Sequence, residues 1–369
     1  MNRRMRVSDA SRPDDGWRRG FRLFWGAIGA SSGGDQLREF TLPLLAITVL
    51  HASSFELGMV AAAQWVPFLV LALPFGVLID RHRRRRMLVL SDAGRALTMT
   101  LLVAAVLIGF VSVPFLVVLA IALGVFAVVF EVGYQSVIPA LVPRRALEGS
   151  NARVQATVAA AEVGGPGVGG VIVQAFGMPA ALLASTLGYA SSGLAVSLIR
   201  ADEPVPPREN RNFVAELRDG ARHVLQDPYL RANVGFSAIY NPFAQWVMLL
   251  LTVHAVRELG LDALQLGLVF TVGAVGALVG AAATSRLTAR LTIGQVLMLC
   301  VTVECLVLLV LPLASASWHP ATVVAFLGAA LAVNGAGTAV SNVVLITIRQ
   351  LRTPDRLLGR VNATMRTVT

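Results

Sequence analysis

Lysine is absent from this sequence: all 31 basic residues are arginine. With abundant Ala, Val and Gly, this is the residue usage of GC-rich coding and carries no mechanism. Charge of either sign is scarce, at 14% of 369 residues, where a soluble domain carries about 25%. That shortfall excludes an ordinary water-soluble globule. Cysteine is nearly missing. Cys300 and Cys305 lie inside one apolar run without metal-ligand spacing, which excludes a disulfide scaffold and a thiolate metal site. The five histidines are scattered and form no ligand set. There is no G-x-x-x-x-G-K-[ST] loop and no plausible nucleophile–base pair, so the expectation is a protein that is not an enzyme and needs no cofactor or metal.

What is present is oil. Hydrophobic residues make up 56% of the chain and mean hydropathy is +0.70. Ten apolar segments lie near 24–50, 56–79, 87–110, 114–138, 152–176, 179–199, 229–256, 264–285, 293–314 and 320–346. Each is long enough to cross about 30 Å of hydrocarbon at about 1.5 Å per residue, and helices are the open-chain way to satisfy the backbone there. A net charge of +10 and a pI near 11.1 would suit nucleic acid, but the arginines lie in short connections between apolar runs. They read as topology determinants that meet anionic lipid.

Arginine-bearing connections are the N-terminal tail, 80–86, 144–153, 200–231, 286–290 and 349–360. Those near His51, Ser112, Gly177, Gly260 and Ser317 hold one arginine between them, Arg257. The two kinds alternate, which predicts a multi-pass protein of the cell membrane with a cytoplasmic N-terminus. Four regions are expected: a disordered cytoplasmic tail over 1–22, a six-helix bundle over 23–199, a cytoplasmic linker over 200–228, and a second bundle over 229–369. Phe213, Leu217, Ala221, Val224 and Leu225 recur at helical spacing and predict an amphipathic helix in the linker. Leu57-Gly58-Met59-Val60 reappears as Leu266-Gly267-Leu268-Val269, an offset of 209. Pro143, Arg145, Leu147 and Asn151-Ala152 reappear as Pro354, Arg356, Leu358 and Asn362-Ala363, an offset of 211. The halves read as an internal duplication. Because Pro143 to Ala152 leads into the fifth helix, Pro354 to Ala363 should lead into an eleventh, and the expectation is a chain lacking the last two helices of twelve.

The stretch Gly76-Val77-Leu78-Ile79-Asp80-Arg81-His82-Arg83-Arg84-Arg85-Arg86 follows the second segment. Gly76, Leu78, Asp80, Arg81, Arg84 and Arg85 resemble the loop signature G-x-L-x-D-R-x-G-R-R/K of the major facilitator superfamily; Arg83 stands where that signature has its second glycine. The fifth segment carries Gly164-Gly165-Pro166-Gly167-Val168-Gly169-Gly170. A dinucleotide fingerprint needs a preceding strand and a later acid, and neither is present. Gly165, Pro166, Gly169 and Gly170 instead resemble the antiporter signature of exporters in that superfamily, with Ala161 at its first glycine. The linker from Phe213 to Pro228 is similar to that of the enterobactin-exporter and macrolide-efflux branch.

Charges within spans are costly to keep there. Asp35, Arg38 and Glu39 sit near the middle of the first segment, with Asp35 and Glu39 on one face and Arg38 three residues from Asp35. A proton-loading carboxylate and a structural ion pair are both open readings of this trio. Asp35, Glu39 and Glu131 are the proton-coupling candidates. Arg38, Gln64, Tyr134, Glu162, Tyr240, Asn241, Gln245, Trp246 and Asn334 are candidates for the substrate pathway, with helix–helix hydrogen bonding as the competing reading; Glu304 in the ninth segment is a further candidate of either kind. Asp80, with Asp92 and Arg95 expected at the start of the third helix, forms a candidate cytoplasmic latch.

The resemblance implies an all-α polytopic membrane protein of the major facilitator fold, two pseudo-symmetric six-helix bundles with the second incomplete. It implies efflux of a small amphipathic molecule, drug, macrolide or siderophore, coupled to protons by alternating access. The expected partners are substrate, protons and the bilayer, with no nucleic acid, and the expected state is a monomer. An importer or uniporter of the same fold, or a truncated and inactive membrane protein, remain alternatives at this point.

Overall fold

Hydrocarbon offers no water to a peptide group, and the computed structural model meets that demand with helices. It describes residues 16–81, 83–143, 146–199, 222–353 and 361, and contains no strand among them. The long helices are α1 (Gly16–Thr48), α2 (Ser54–Arg81), α3 (Arg84–Leu107), α4 (Val113–Leu141), α5 (Leu147–Phe176), α6 (Met178–Ser197), α7 (Pro228–Arg257), α8 (Ala263–Thr288), α9 (Ile293–Val310) and α10 (Pro320–Arg352). They coincide with the ten apolar segments. A 3₁₀ turn, Leu311–Leu313, closes α9. Nine of the described helices are long and apolar enough to span a membrane. The exception is α1, whose Asp35, Arg38 and Glu39 fall within one another's turn; it is held by packing on α5 and α6.

Short polar caps stop and start these helices. Ser112 accepts from the Phe115 amide ahead of α4. Capping boxes at Asp262/Gln265 and Thr292/Gln295 open α8 and α9. Gly177 and Gly260 take positive φ, 82° and 68°, in connections too short for a residue with a Cβ to turn comfortably.

Two boundaries differ from the sequence expectation. α1 begins at Gly16, so residues 16–22 of the expected tail are helical; Phe21 and Phe24 are buried against the first-half core and extend the helix past its apolar run. The arginine-rich connection is also shorter than 80–86. α2 continues through Arg81 and α3 starts at Arg84, since charged residues prolong a helix once it leaves hydrocarbon. Arg83 has φ −64° and ψ 109°, an ordinary extended conformation, so this turn does not call for glycine. The side chains of Gly76, Asp80 and Arg81 lie outside the described residues, as does the expected amphipathic helix except 222–226, which is helical. The expected eleventh helix is likewise outside them, apart from the buried, helical Val361.

The same pairings recur in both halves. α4 packs on α2 and α3, and α10 packs on α8 and α9. The halves meet chiefly where α5 lies against α8. One apolar core, with Leu45, Leu57 and Leu182 from the first half and Leu251, Leu266 and Leu327 from the second, spans both halves at the arginine-poor end. At the arginine-rich end the described cores are separate: Phe24, Leu88 and Val154 belong to the first half, and Val296, Val340 and Val344 to the second. Among the described residues the two halves share one apolar core at the arginine-poor end and none at the other.

Candidate functional site

Three helical faces converge inside the first half. α1 presents Ser31, Asp35 and Arg38, spaced four and three apart. α3 presents Asp92 and Arg95, and α6 presents Ser185, Tyr189 and Ser192. Arg95 is at their centre, 1% exposed. Its Nη1 donates to Asp35 Oδ2 at 3.0 Å and its Nη2 to Ser31 Oγ at 2.9 Å and to Asp92. The guanidinium lies between the Phe130 ring, 4.1 Å from its centroid, and the Tyr189 ring, 4.6 Å from its centroid. Ser192 donates to the other Asp92 oxygen at 2.6 Å, and Tyr189 donates to Asp35 at 2.8 Å.

The network continues along α1. Arg38 Nη2 is 3.7 Å from Asp35 and 3.3 Å from Glu39, and its Nη1 donates to Gln64 of α2. Burying an ion pair is tolerable only when each charge is compensated. Asp35, Asp92 and Glu39 set three carboxylates against the two guanidiniums of Arg38 and Arg95. Asp92 is fully buried and Asp35 a quarter exposed, whereas the Glu39 side chain is half exposed and, among the described residues, reaches Arg38 alone. The surplus negative charge therefore falls on Glu39, at mid-helix. An exposed carboxylate at that depth is tolerable beside water and not beside lipid tails. Glu162 of α5, also exposed, is its electrostatic neighbour.

The glycine-rich stretch of α5 forms the seam between the halves. A Cβ on Gly170 would lie 2.4 Å from the Ala263 carbonyl oxygen, and one on Gly267 of α8 would lie 2.4 Å from the Pro166 carbonyl oxygen. Gly165 and Gly169 face α1 instead, against Gln36 and Phe40. At the arginine-poor end Arg257 of α7 donates to the carbonyl of Ala52 between α1 and α2.

The remaining sequence candidates divide. α3 starts at Arg84, so Arg95 lies about 16 Å along the helix, where it pairs with Asp35 and Asp92; the side chain of Asp80, its expected latch partner, lies outside the described residues. Arg85 donates to the Ser197 carbonyl at 2.6 Å, covering the end of α6. Arg84 opens α3. Tyr134 is buried in the first-half core beside Phe130, and Glu131 is half-buried on the same helix. Tyr240 donates to Glu304. Asn241 is half-buried, and Gln245 and Trp246 are exposed on α7, with Trp246 edge-on to Phe243. Asn334 of α10 has a buried Nδ2 without a partner among the described residues. Tyr189 escaped the sequence reading, as did Ser31 and Ser192. The signal available was the Ser185, Tyr189, Ser192 spacing within an otherwise apolar run. Among the described residues no cluster of His, Cys, Asp or Glu has the makings of a metal site.

A family model described as transmembrane secretion effector matches residues 17–369. The chain belongs to that family, within the major facilitator superfamily. The enterobactin exporter EntS of Salmonella typhimurium (strain LT2) is 24% identical over 322 residues, 86% of this chain and 74% of the relative. EntS of Escherichia coli O127:H6 is 26% identical over 328 residues, with the same coverage. Among solved structures, the nucleoside transporter NupG, in a point-mutant form, superposes with a TM-score of 0.76 at 11% identity, over 95% of this chain and 87% of its own. A bacterial homologue of the iron transporter ferroportin, 18% identical and covering 95% of this chain and 89% of its own, gives 0.65 in its inward-facing state and 0.57 in its outward-facing state. The chain is a multi-pass membrane transporter of small molecules, and not an enzyme.

Proposed function

We propose that this transporter exports a small amphipathic molecule in exchange for protons, as a monomer, with its N-terminus and arginine-rich connections in the cytoplasm. The observation that carries the reading is the unbalanced charge at Glu39. With Glu39 ionised the Asp35–Arg38–Arg95–Asp92 network bears one excess negative charge, and with Glu39 protonated it is neutral. Asp35 holds its place between Arg95 and Tyr189 and works as the positioning carboxylate. A proton entering on Glu39 carries about 2.3 kcal/mol per 100 mV of membrane potential, which biases the equilibrium between the two access states.

The arginine-rich end, where the cores of the described residues are separate, faces the cytoplasm by the positive-inside rule, and on this reading the conformation opens inward. The better superposition on the inward-facing than on the outward-facing ferroportin homologue is consistent with that. Substrate enters between the halves from the cytoplasmic side. The α5–α8 seam and the Arg257–Ala52 contact then open as the inner end closes. The exporter relatives and the antiporter-like glycines of α5 favour efflux over uptake.

The test is transport in inside-out vesicles from an efflux-deficient bacterium, with macrolides, cationic dyes and catecholate siderophores as probes. Substrate-driven proton movement that is lost in Glu39→Gln, while uncoupled exchange of the same substrate persists, is the expected result. Accumulation that ignores the proton gradient would reject the coupling, and movement only in the opposite direction would reject export.

A further inference from the structure

Arginines at the arginine-rich end of the first half fall into two groups. Arg85 donates to the Ser197 carbonyl, and the Arg18 guanidinium lies over the Trp17 ring, 5.8 Å from its centroid. Arg19 and Arg22 of α1 and Arg153 of α5 are exposed, and among the described residues their guanidiniums have no hydrogen-bond or ion-pair partner. A polar link between α1 and α5, which both start at this end, sets where they stand. Trp25 Nε1 donates to Thr157 Oγ1 at 2.7 Å, and a Cβ on Gly29 would lie 3.1 Å from Thr157 Cγ2. One turn back toward the arginine-rich end, about 5.4 Å, come Arg22 on α1 and Arg153 on α5. They flank the mouth of the groove between the two helices, and Arg19 is one turn beyond Arg22.

Beyond the arginines this flank of the groove is apolar. At about 100° per residue, Gly26 and Gly33 continue the Arg19–Arg22 face of α1, and Ala160, Gly164, Val168 and Val171 continue the Arg153–Thr157 face of α5. Ala160 is exposed, and Val168 and Val171 are 53% and 50% exposed. An added Cβ on Gly26, Gly33 or Gly164 would meet nothing within 4 Å among the described residues, so the groove is bare as well as oily. The carboxylates lie elsewhere. Glu162 is turned about 140° from Thr157, onto the flank that it shares with Glu39. Exposed valines belong beside lipid tails and exposed carboxylates beside water, so the flank with the free guanidiniums is the one that meets the bilayer. Trp25, its N–H satisfied by Thr157, stands between the charged mouth and the apolar run, as an interfacial indole does.

We propose that the mouth of the α1–α5 groove binds one anionic phospholipid, its headgroup phosphate between Arg22 and Arg153 and an acyl chain along Gly26 and Gly164. The chemistry follows from what is free. A guanidinium presents a planar fork of donors that matches phosphate oxygens, and here guanidiniums from two helices face one opening with no carboxylate to occupy them. A lipid fits better than a soluble phosphate because the groove beyond the charges offers hydrocarbon and room. An anionic headgroup fits better than a zwitterionic one because the choline of the latter would be brought up to Arg19, a like charge. The bound lipid would fasten α1 to α5 at the end where the Trp25–Thr157 bond already joins them. The site rests on the membrane assignment alone and is independent of the direction of transport and of its coupling.

The test is native mass spectrometry of the full chain in detergent, with phosphatidylglycerol or phosphatidylcholine of the same acyl chains added, and with inorganic phosphate as competitor. Phosphatidylglycerol should be retained in preference to phosphatidylcholine. Retention should fall roughly tenfold when Arg22→Gln and Arg153→Gln are combined. Arg286→Gln with Arg290→Gln removes the same charge from exposed positions at the end of α8 and just after it, and should leave retention as in wild type. Gly26→Leu fills the groove and keeps every arginine; it should weaken phosphatidylglycerol severalfold, and it serves if the arginine variant is not monodisperse. Equal retention of the two lipids, or equal losses in the two arginine pairs, overturns the proposal, since either would mark charge spread over the whole end. Full competition by inorganic phosphate with no effect of Gly26→Leu overturns it too, because that is an anion site without a lipid.

Discussion

Arg257, near the end of α7, donates to the main-chain carbonyl of Ala52, 205 residues earlier, and so ties the second half to the α1–α2 connection of the first. Arg257 is the one arginine in the otherwise arginine-poor connections. Its position runs against the topology rule, and the bond across the halves supplies a reason for it. A hydrogen bond from a charged donor contributes about 1.5–3 kcal/mol when buried and less at a wetted edge. Arg257→Ala should therefore weaken closure at this end by about 1 kcal/mol, a roughly fivefold population shift. Spin labels placed in 49–53 and 258–262, in a background lacking Cys305, should report a larger fraction at long distance. An unchanged distance distribution would remove Arg257 from any gating role.

The α5–α8 seam yields a graded prediction. Gly170 and Gly267 each face main-chain carbonyl oxygen at 2.4 Å from an added Cβ, whereas Gly167 faces only the hydroxyl of Thr271, at 2.7 Å. Backbone cannot swing aside and a side-chain hydroxyl can. Gly170→Ala and Gly267→Ala should each cost about 1–3 kcal/mol as overpacking and make the seam more accessible to alkylating reagents. Gly167→Ala should be close to neutral. Thermal melts followed by size-exclusion chromatography would rank the three, and equal losses at all of them would contradict close packing as the cause.

Much of the fold was legible because hydrocarbon leaves so few options. Ten apolar runs became ten helices, and the duplicated Leu57-Gly58 and Leu266-Gly267 motifs fell on α2 and α8, which pack alike in their halves. The site was legible only where its partners are neighbours in sequence. Asp35, Arg38 and Glu39 share a helix, and their spacing announced a charged cluster. Arg95 lies 60 residues from Asp35, and proximity to the arginine-rich turn suggested a different partner. Tyr189 lies 154 residues from Asp35 in a run of small residues, where it looked like packing. Which faces meet depends on how α1, α3 and α6 rotate against one another, and periodicity along one helix does not encode that.

Asp227 supplies the pH prediction. Desolvation pushes its carboxyl up, but the backbone N–H groups of Leu230 and Tyr229 and the guanidinium of Arg352 outweigh it and hold the group below the usual carboxylate range. The Leu230 and Tyr229 bonds are 3.0 and 2.9 Å, and Arg352 is 3.4 Å away. A depressed folded-state pKa means stability that is present above the unfolded value of about 3.9 and is lost as pH falls through the folded value. Asp227→Ala should cost about 1 kcal/mol as a lost N-cap. Asp227→Asn, itself a competent cap, should lose only the smaller charge contribution. Hydrogen exchange at the Tyr229 and Leu230 amides should be faster in the Asn variant than in wild type at neutral pH, with the gap closing below about pH 4.

The Arg95 network predicts an order of damage set by what each substitution leaves behind. Arg95→Ala removes the central cation and strands Asp92, which is fully buried, beside a carboxylate at Asp35. Breaking a buried pair from one side costs about 3–5 kcal/mol. Asp92→Asn keeps the Ser192 and Arg95 hydrogen bonds in part and leaves Arg95 the Asp35 carboxylate, so it should cost less. Glu39→Gln, at a half-exposed side chain with a single 3.3 Å contact, should barely move the melting temperature. The paired change Arg95→Met with Asp92→Leu should recover part of the Arg95→Ala loss, because apolar replacement of both partners strands only Asp35, which still has Tyr189 and Arg38. Melting temperatures in one detergent would test the order. If Glu39→Gln destabilised the protein as much as Arg95→Ala, Glu39 would be a structural member of the network, and the assignment of its loose, surplus charge to proton coupling would fail with it.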